Sequence, residues 1–317
     1  MRRRGLAGAC GAGQQPGQYS PYGAGPLAAL QRGARLELSP GYVTDQGPEV
    51  NSTREYAYWV ERIELVTASR AGPARIVLHC RGADWLLQRW RARRQYVFGG
   101  GVVPLSGLLF LVASRAGLPF GTSGNSSAAY DTLTPAFTVH PGESGMTALR
   151  RLAEKVTDVL YFDAGAVFAT EPRPTDASQY AFGPGEHAIV EARYRDTGSA
   201  INRARTVGTG VYGEAFDFDE IEAFGESIAT VVDGNITSAA EAEDRAATLL
   251  REAAIASRAD TITVFGVHCG IQPYDVVEIT DADAGLAAAS RRVLGYAWRF
   301  STSARPRYEM MLTLGEV

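Results

Sequence analysis

The last eighty residues of this chain combine one long helix with a run of amphipathic strands. The Ala-rich segment Thr237–Ser257 has the composition of a helix, and Thr237 or Ser238 is expected to cap it. Alternating apolar and polar residues predict three or four strands after it, at Thr261–Phe265, Gly270–Thr280, Arg291–Phe300 and Tyr308–Gly315. A helix followed by consecutive strands predicts a small antiparallel barrel with one flanking helix. No catalytic motif lies within these residues, so the function is sought in surfaces and assembly.

The length and charge of the chain limit the classes of protein it can belong to. Its 317 residues are enough for two or three domains. The formal net charge of −4 argues against a dedicated nucleic-acid-binding protein. Three cysteines, Cys10, Cys80 and Cys269, do not make a disulfide framework. The longest apolar run, Leu105–Ala113, is about half the length that crosses a bilayer, so no membrane-spanning segment is predicted.

The chain divides into three regions after a Gly-, Ala- and Pro-rich N-terminal arm, residues 1–33, that is expected to be flexible. The first region reads as strands followed by a helix, Trp85–Arg94. The second, from Val97, reads as helices and a hairpin whose turn is Asp163–Gly165. The third begins near Tyr180. Further predicted elements are strands Glu55–Ala68 and Ala74–Cys80, helices Val103–Ala116 and Gly145–Thr157, and strands Ala188–Tyr194, Arg203–Tyr212 and Ser227–Val232.

Arginines cluster around the predicted helix Trp85–Arg94. They are Arg89, Arg91, Arg93 and Arg94. Because arginine makes bidentate contacts with carboxylates, these side chains are candidates for ion pairs with a neighbouring subunit. They are equally candidates for lining a lumen through which DNA passes, and a solvated helix face is the third interpretation.

An acidic cluster is the second candidate interaction site. Asp217, Asp219 and Glu220, with Glu222 close by, could bind a cation or a basic neighbour, or form a solvated loop. The segment Asp281–Gly285 has the start of a calcium loop. The twelfth position of such a loop needs a bidentate Glu, and Arg292 stands there, so a hairpin turn is predicted instead.

No residue pattern points to catalysis, a cofactor or a metal. The pairs His79–Cys80 and His268–Cys269 lie in predicted strands, where adjacent side chains point to opposite faces and cannot chelate one ion. His140 and His187 have no evident partner. Ser144 is expected to cap a helix, and no nucleophile elbow, P-loop or dinucleotide fingerprint is present. The sequence therefore predicts no catalytic residues, no cofactor and no metal site.

Short segments in the second and third regions together resemble one family. The segments are Pro141–Leu152, Asn202–Gly208, Ala239–Arg251, Gly270–Val277 and Tyr308–Gly315. In this order they resemble phage tail baseplate hub proteins, the group that includes the late-control D protein and the tube-like part of VgrG. The first region is similar in kind, so the likeness covers residues 34–316. Tyr274 departs from the family pattern, which has Gly at that position.

The resemblance implies an α+β, β-rich fold with two tube-like antiparallel β-barrel domains, each with a flanking helix, and a small α/β middle domain. The first barrel would span residues 34–96, the middle domain 97–180 and the second barrel 181–317. It also implies a homotrimer whose six barrels match a six-fold tail tube. Such a trimer joins the tail tube protein to a three-fold tip or spike, and DNA passes its lumen without specific binding. The expected location is the tail baseplate of a virion, assembled in the cytoplasm of a bacterial host.

Two other functions stay open from the residues alone. One is a tail-associated cell-wall hydrolase, with acidic residues from 121–130 or 217–222. The other is a receptor- or glycan-binding tail module. Its platform would use aromatic side chains, namely Tyr56, Tyr58, Tyr130 and Trp298.

Overall fold

The computed structural model describes residues 5–8, 30–44, 47–50, 56–66, 75–122, 124–185, 187–302 and 306–317. Of the predicted N-terminal arm, residues 5–8 form a strand, and most of the remainder lies outside the described residues.

The described residues form twenty strands and six helices. The strands are β1 (Gly5–Gly8), β2 (Arg35–Leu38), β3 (Gly41–Thr44), β4 (Gly47–Val50), β5 (Tyr56–Val66), β6 (Arg75–Arg81), β7 (Tyr96–Phe98), β8 (Phe120–Thr122), β9 (Phe137–Val139), β10 (Val159–Asp163), β11 (Ala166–Thr170), β12 (Ser178–Phe182), β13 (Ile189–Arg193), β14 (Arg203–Val207), β15 (Tyr212–Phe216), β16 (Ile228–Val232), β17 (Asp260–Phe265), β18 (Val276–Asp281), β19 (Leu286–Ser301) and β20 (Arg307–Gly315). The helices are α1 (Ala83–Arg89), α2 (Leu105–Arg115), α3 (Ala128–Thr132), α4 (Gly145–Ala153), α5 (Phe218–Phe224) and α6 (Ala239–Ala256). None of these helices is both long enough and apolar enough to cross a membrane.

The first sheet is antiparallel, in the order β1-β6-β5-β2, and β3 and β4 form a separate hairpin. Tyrosines tie this region to the C-terminal strands. The Tyr42 hydroxyl accepts a hydrogen bond from the Val267 amide at 2.7 Å, and the Tyr308 hydroxyl donates to the Gly41 carbonyl at 2.9 Å. The ring of Tyr56 meets that of Trp298 edge-on, with centroids 4.2 Å apart. The first and last regions of the chain are therefore packed together.

The middle region is a helical core with two small sheets, β7-β9 and β10-β11-β8. Helices α2 and α4 supply nine of its nineteen buried side chains, including Leu108, Leu109 and Leu149. Helix α1 joins this core through Ala83 and Leu87. The predicted cap of α4 is confirmed, because the Ser144 hydroxyl accepts from the Thr147 amide at 3.0 Å.

The largest sheet has six strands, in the order β12-β18-β19-β20-β17-β13. Its two edge strands, β12 and β13, are consecutive in the chain and are joined by residues 183–188. Within that link the Gly183 amide donates a hydrogen bond to the His187 carbonyl at 3.0 Å, so the link is compact. In a flat six-stranded sheet the two edge strands would lie about 24 Å apart, which is much further than this link reaches. The sheet must therefore curl into a half-barrel. Its inner side holds a core that includes Ile262, Ile279 and Leu312.

A third sheet, β15-β14-β16, lies between β13 and β17 in the chain. Its strands β14 and β16 run parallel, and α6 covers one face. The approach is so close that a Cβ on Gly213 would clash with the α6 backbone at Ala242 and Glu243. An isolated antiparallel β-bridge between Asp196 and Arg258 joins the two ends of this unit. Residues 181–317, expected to form the second barrel, thus contain two separate sheets.

Two local predictions are wrong and others are confirmed. The predicted strand Arg203–Tyr212 ends at Val207, because the chain then turns through Gly210, at a φ of +75°, into the antiparallel strand β15. Ser238 caps α6 as predicted, accepting from the Glu241 amide at 3.2 Å. The hairpin β10-β11 forms as predicted, and Asp281–Gly285 lies in the β18-β19 turn. The second wrong prediction is the helix Trp85–Arg94, which ends at Arg89.

Candidate interaction surfaces

An open groove of about 610 Å³ lies where β5, β6, α1 and the start of α4 meet. We call it the arginine groove. It is lined by Glu61, Arg81, Trp85, Gln88, Arg89, Arg91, Ser144, Met146, Thr147 and Arg150. Four arginines and one glutamate give it a formal charge of three positive units. This local charge is opposite in sign to that of the whole chain, −4.

One arginine of the groove is neutralised and three keep free charge. Arg81 holds Glu61 through two nitrogens, at 2.7 and 3.2 Å, and this hydrogen bonding raises the pKa of Arg81. The Arg89 guanidinium stacks over the Trp85 ring at 4.6 Å, and Arg91 bonds the carbonyls of Gln88 and Trp90. Arg150 is exposed on α4. Within the described part of the chain, no carboxylate lies at ion-pair distance from these three guanidinium groups.

The four arginines predicted to share one helix are divided by the structure. After Arg89 the backbone becomes extended at Trp90, with ψ of 135°, because the buried Ala92 pairs with the segment before α4. The Ala92 amide donates to the Glu143 carbonyl at 3.0 Å. Arg89 and Arg91 therefore enter the groove. Arg93 and Arg94 do not line it, and Arg94 stacks over Tyr96 at 5.5 Å.

Arg81 and Arg150 are the groove residues that sequence reasoning missed. Arg81 ends β6 and Arg150 lies on α4, almost seventy positions further along the chain. Only the tertiary packing of α1 against α4 brings them together. The sequence around Arg81 and Arg150 carries no pattern that reveals this neighbourhood.

The predicted acidic cluster forms the start of a helix and not a loop. Asp217 caps α5, and its carboxylate accepts from the Glu220 amide at 3.1 Å. Asp219 and Glu222 are exposed. In the residues that the structure covers, no arginine or lysine stands within ion-pair distance of Asp217, Asp219 or Glu220. The apolar side chains of α5 are also uncovered, since Phe218 is 71% and Phe224 79% exposed.

The sheet face opposite α6 is also largely exposed. Alternation along the strands places Tyr212, Phe216, Ile228 and Val232 on it, and each of these side chains is exposed. The Phe218 ring stacks on Phe216, with centroids 5.4 Å apart, so α5 continues this face. At its centre Arg203 bonds Glu214 at 2.8 Å. A helix on one side only leaves a three-stranded sheet with an open apolar face.

A histidine pair lies at the end of the six-stranded sheet. The rings of His187 and His268 stand 4.3 Å apart, so the expectation that His187 has no partner is wrong. Burial first, and then the charge of His187, lower the pKa of His268. Cys80 and Cys269 are not joined in a disulfide. Within the described residues, no group of three or more His, Cys, Asp or Glu side chains is placed to hold a metal ion.

The aromatic side chains considered for a glycan platform do not form one surface. Tyr56 and Tyr130 are buried. Trp298 stacks on Tyr296, with ring centroids 5.6 Å apart, and also packs against Tyr56. Tyr56 and Trp298 therefore serve packing between two sheets, and Tyr130 belongs to the core of the middle region.

Comparison with known proteins identifies the fold. No family model matches the sequence, and no curated protein matches it. A tail protein from Neisseria meningitidis MC58 is similar in structure, with a TM-score of 0.65 and 15% identity over 89% of this chain and 87% of that one. The 43 kDa tail protein of prophage MuSo2 from Shewanella oneidensis has a TM-score of 0.59 and 13% identity, over 90% of this chain and 91% of that one. A type VI secretion system component from E. coli has a TM-score of 0.50 and 13% identity, over 83% of this chain and 61% of that one.

Proposed function

This chain has the fold of phage tail proteins, and we propose that it is a structural hub protein of a phage tail or of a phage-derived injection machine. The observation that carries the proposal is the fold similarity, which extends over about nine-tenths of this chain and of the two tail proteins above. Fold alone does not fix function, so the finer role is argued from the surfaces.

The proposed assembly is a ring of three copies. Each copy carries a four-stranded sheet whose edge strands are β1 and β2, and a six-stranded sheet whose edge strands are β12 and β13. Exposed edges pair readily with another chain, and a closed ring of subunits covers them. Three copies would present six β-rich units to a six-fold tail tube. The three-fold symmetry would match a trimeric tip below.

The role in this proposal is mechanical and not catalytic. The chain would lie in the virion, between the tail tube protein and the tip or spike proteins. DNA would pass through the ring without specific binding. Assembly would take place in the bacterial host cytoplasm. No described cluster of side chains favours a hydrolase or a glycan-binding module over this role.

The test is the mass and symmetry of the native protein. Mass photometry of the purified full-length chain should give a trimer, and negative-stain images should show a three-fold ring with a pore. Each contact should bury well above about 1,000 Å². A stable monomer at every concentration, absent also from tails co-expressed with it, would contradict the proposal. Release of fragments from purified peptidoglycan would favour the hydrolase instead.

A further inference from the structure

We propose that the arginine groove of one copy binds helix α5 of the next copy, so that the contact between subunits is heterologous. This inference rests on the proposed self-assembly and adds the surfaces that would make it. The occupant is a second copy of this chain, and the segment that docks is Asp217–Phe224.

The groove has the chemistry of a carboxylate-binding site. Arg89, Arg91 and Arg150 keep their charge free within the described residues, and a guanidinium offers a planar set of donors that matches a carboxylate. Trp85 supplies an apolar wall, and Met146 adds a polarizable one. A groove that joins positive charge to an aromatic wall fits a segment that carries carboxylates and aromatic rings together.

Helix α5 is such a segment, and its own chain leaves it uncovered. None of its seven residues is buried. It carries Asp219, Glu220 and Glu222 beside two exposed phenylalanines, while Asp217 caps its first turn. Large apolar side chains grouped on a surface mark contact sites. The charge of α5 complements the groove, and its two rings can supply the apolar anchors that interfaces use.

The two surfaces lie apart on one subunit, so they meet only between copies. No residue of α5 lines the groove of its own chain. A contact between two different patches is heterologous, and repeating it closes a ring or extends a filament. The ring is the outcome that agrees with the proposed function.

Charge reversal with its compensating partner tests the contact. The groove variant is Arg89→Glu/Arg91→Glu/Arg150→Glu, and the helix variant is Asp219→Arg/Glu220→Arg/Glu222→Arg, which keeps the Asp217 cap. The third variant combines all six changes. The matched control, Arg62→Glu/Arg193→Glu/Arg299→Glu, reverses the same number of charges at side chains that are 62%, 63% and 67% exposed. Circular dichroism checks that each variant folds, and mass photometry with sedimentation measures self-association.

Either triple variant should raise the dissociation constant for self-association at least about tenfold. The variant with all six substitutions should return this constant to near the wild-type value. The control should stay close to the wild type. Self-association should also weaken as salt rises, since the contact depends on charge.

Other outcomes would overturn the inference separately from the proposed function. Trimers that form equally well in every variant would refute this contact and leave the hub proposal standing. The contact would also be refuted if both triple variants fold but the variant with all six substitutions does not recover self-association. A wild-type groove that binds a single-stranded oligonucleotide, lost in the groove variant while trimers persist, would assign the groove to nucleic acid. A wild-type chain that stays monomeric overturns the inference, and co-expressed tails then decide the hub proposal independently.

Discussion

The six-stranded and the three-stranded sheets differ in how they cover their apolar side chains. Along β20, Met310, Leu312 and Leu314 alternate inward and are almost fully buried, because the sheet curls over its own face. Along β16, Ile228 and Val232 also alternate, yet both are exposed. The same period of two therefore leads to opposite burial in the two sheets.

Sheet closure explains the difference. A curled sheet of six strands encloses a core, whereas three strands with one helix have a second face and nothing to place against it. That second face and α5 are where this chain exposes several large apolar side chains together. The curled sheet should therefore dominate stability, and the three-stranded sheet should contribute mainly to contacts.

The largest expected effect comes from the buried Arg292 of β19. Its guanidinium bonds Asp176 at 2.9 Å and the carbonyls of Tyr274 and Arg173. Arg292→Met leaves the Tyr274 carbonyl without this donor and removes the charged partner of Asp176, and we expect a loss of about 3–5 kcal/mol in the free energy of unfolding. The counterpart in the three-stranded sheet is Arg205→Met, which breaks the partly exposed pair with Glu214. It should cost about 1 kcal/mol or less in urea unfolding. Equal losses would remove the proposed difference between the sheets.

A cavity in the curled core should have a comparable or slightly smaller effect. Leu312→Ala, at a side chain that is 0% exposed, should lower the free energy of unfolding by about 2–5 kcal/mol. Val232→Ala, at a side chain that is 76% exposed, should change it by no more than about 0.5 kcal/mol in the monomeric state. The comparison uses urea unfolding at low protein concentration. A large loss for Val232→Ala there would mean that its own chain covers this face.

The smallest effect is a dependence of stability on pH at the histidine pair. Burial lowers the pKa of His268 below its ordinary value of 6.5, so the unfolded chain binds more protons just below that pH. Stability is then fully present above pH 6.5 and is lost as the pH falls through the lower folded-state pKa. Partial exposure limits this loss to less than about 1 kcal/mol. His268→Gln should flatten the profile of urea midpoints between pH 7.5 and 5.5, and His140→Gln, at an exposed position, should not.

The elements that local chemistry determines could be predicted from the sequence. Ser144 and Ser238 cap their helices because a hydroxyl at that position satisfies a free amide. The long helix and the last strands were likewise visible as periodic patterns. Tyr274 stands where the family that the sequence resembles has Gly, and it adopts a φ of +72°, a conformation to which glycine is suited.

The features that were missed depend on tertiary packing. No local sequence signal ends the helix at Arg89. It ends there because the Ala92 amide donates a hydrogen bond to the Glu143 carbonyl, which requires an extended backbone. Alternation predicts one strand over Arg203–Tyr212, although Gly208 and Gly210 are turn residues that could have ended it at Val207. The groove was only half predicted, since Arg81 and Arg150 reach it from distant parts of the chain.

The bridge between Asp196 and Arg258 has a consequence for how such proteins can diversify. The chain leaves β13 and returns into β17 at adjoining points, and β13 and β17 are themselves paired. Residues 197–257 are thus an outgrowth whose two ends almost touch, an arrangement that tolerates exchange for another segment. Evolution, or an engineer, could substitute a different outgrowth there to change the partner of the subunit while the half-barrel beneath keeps its strand order.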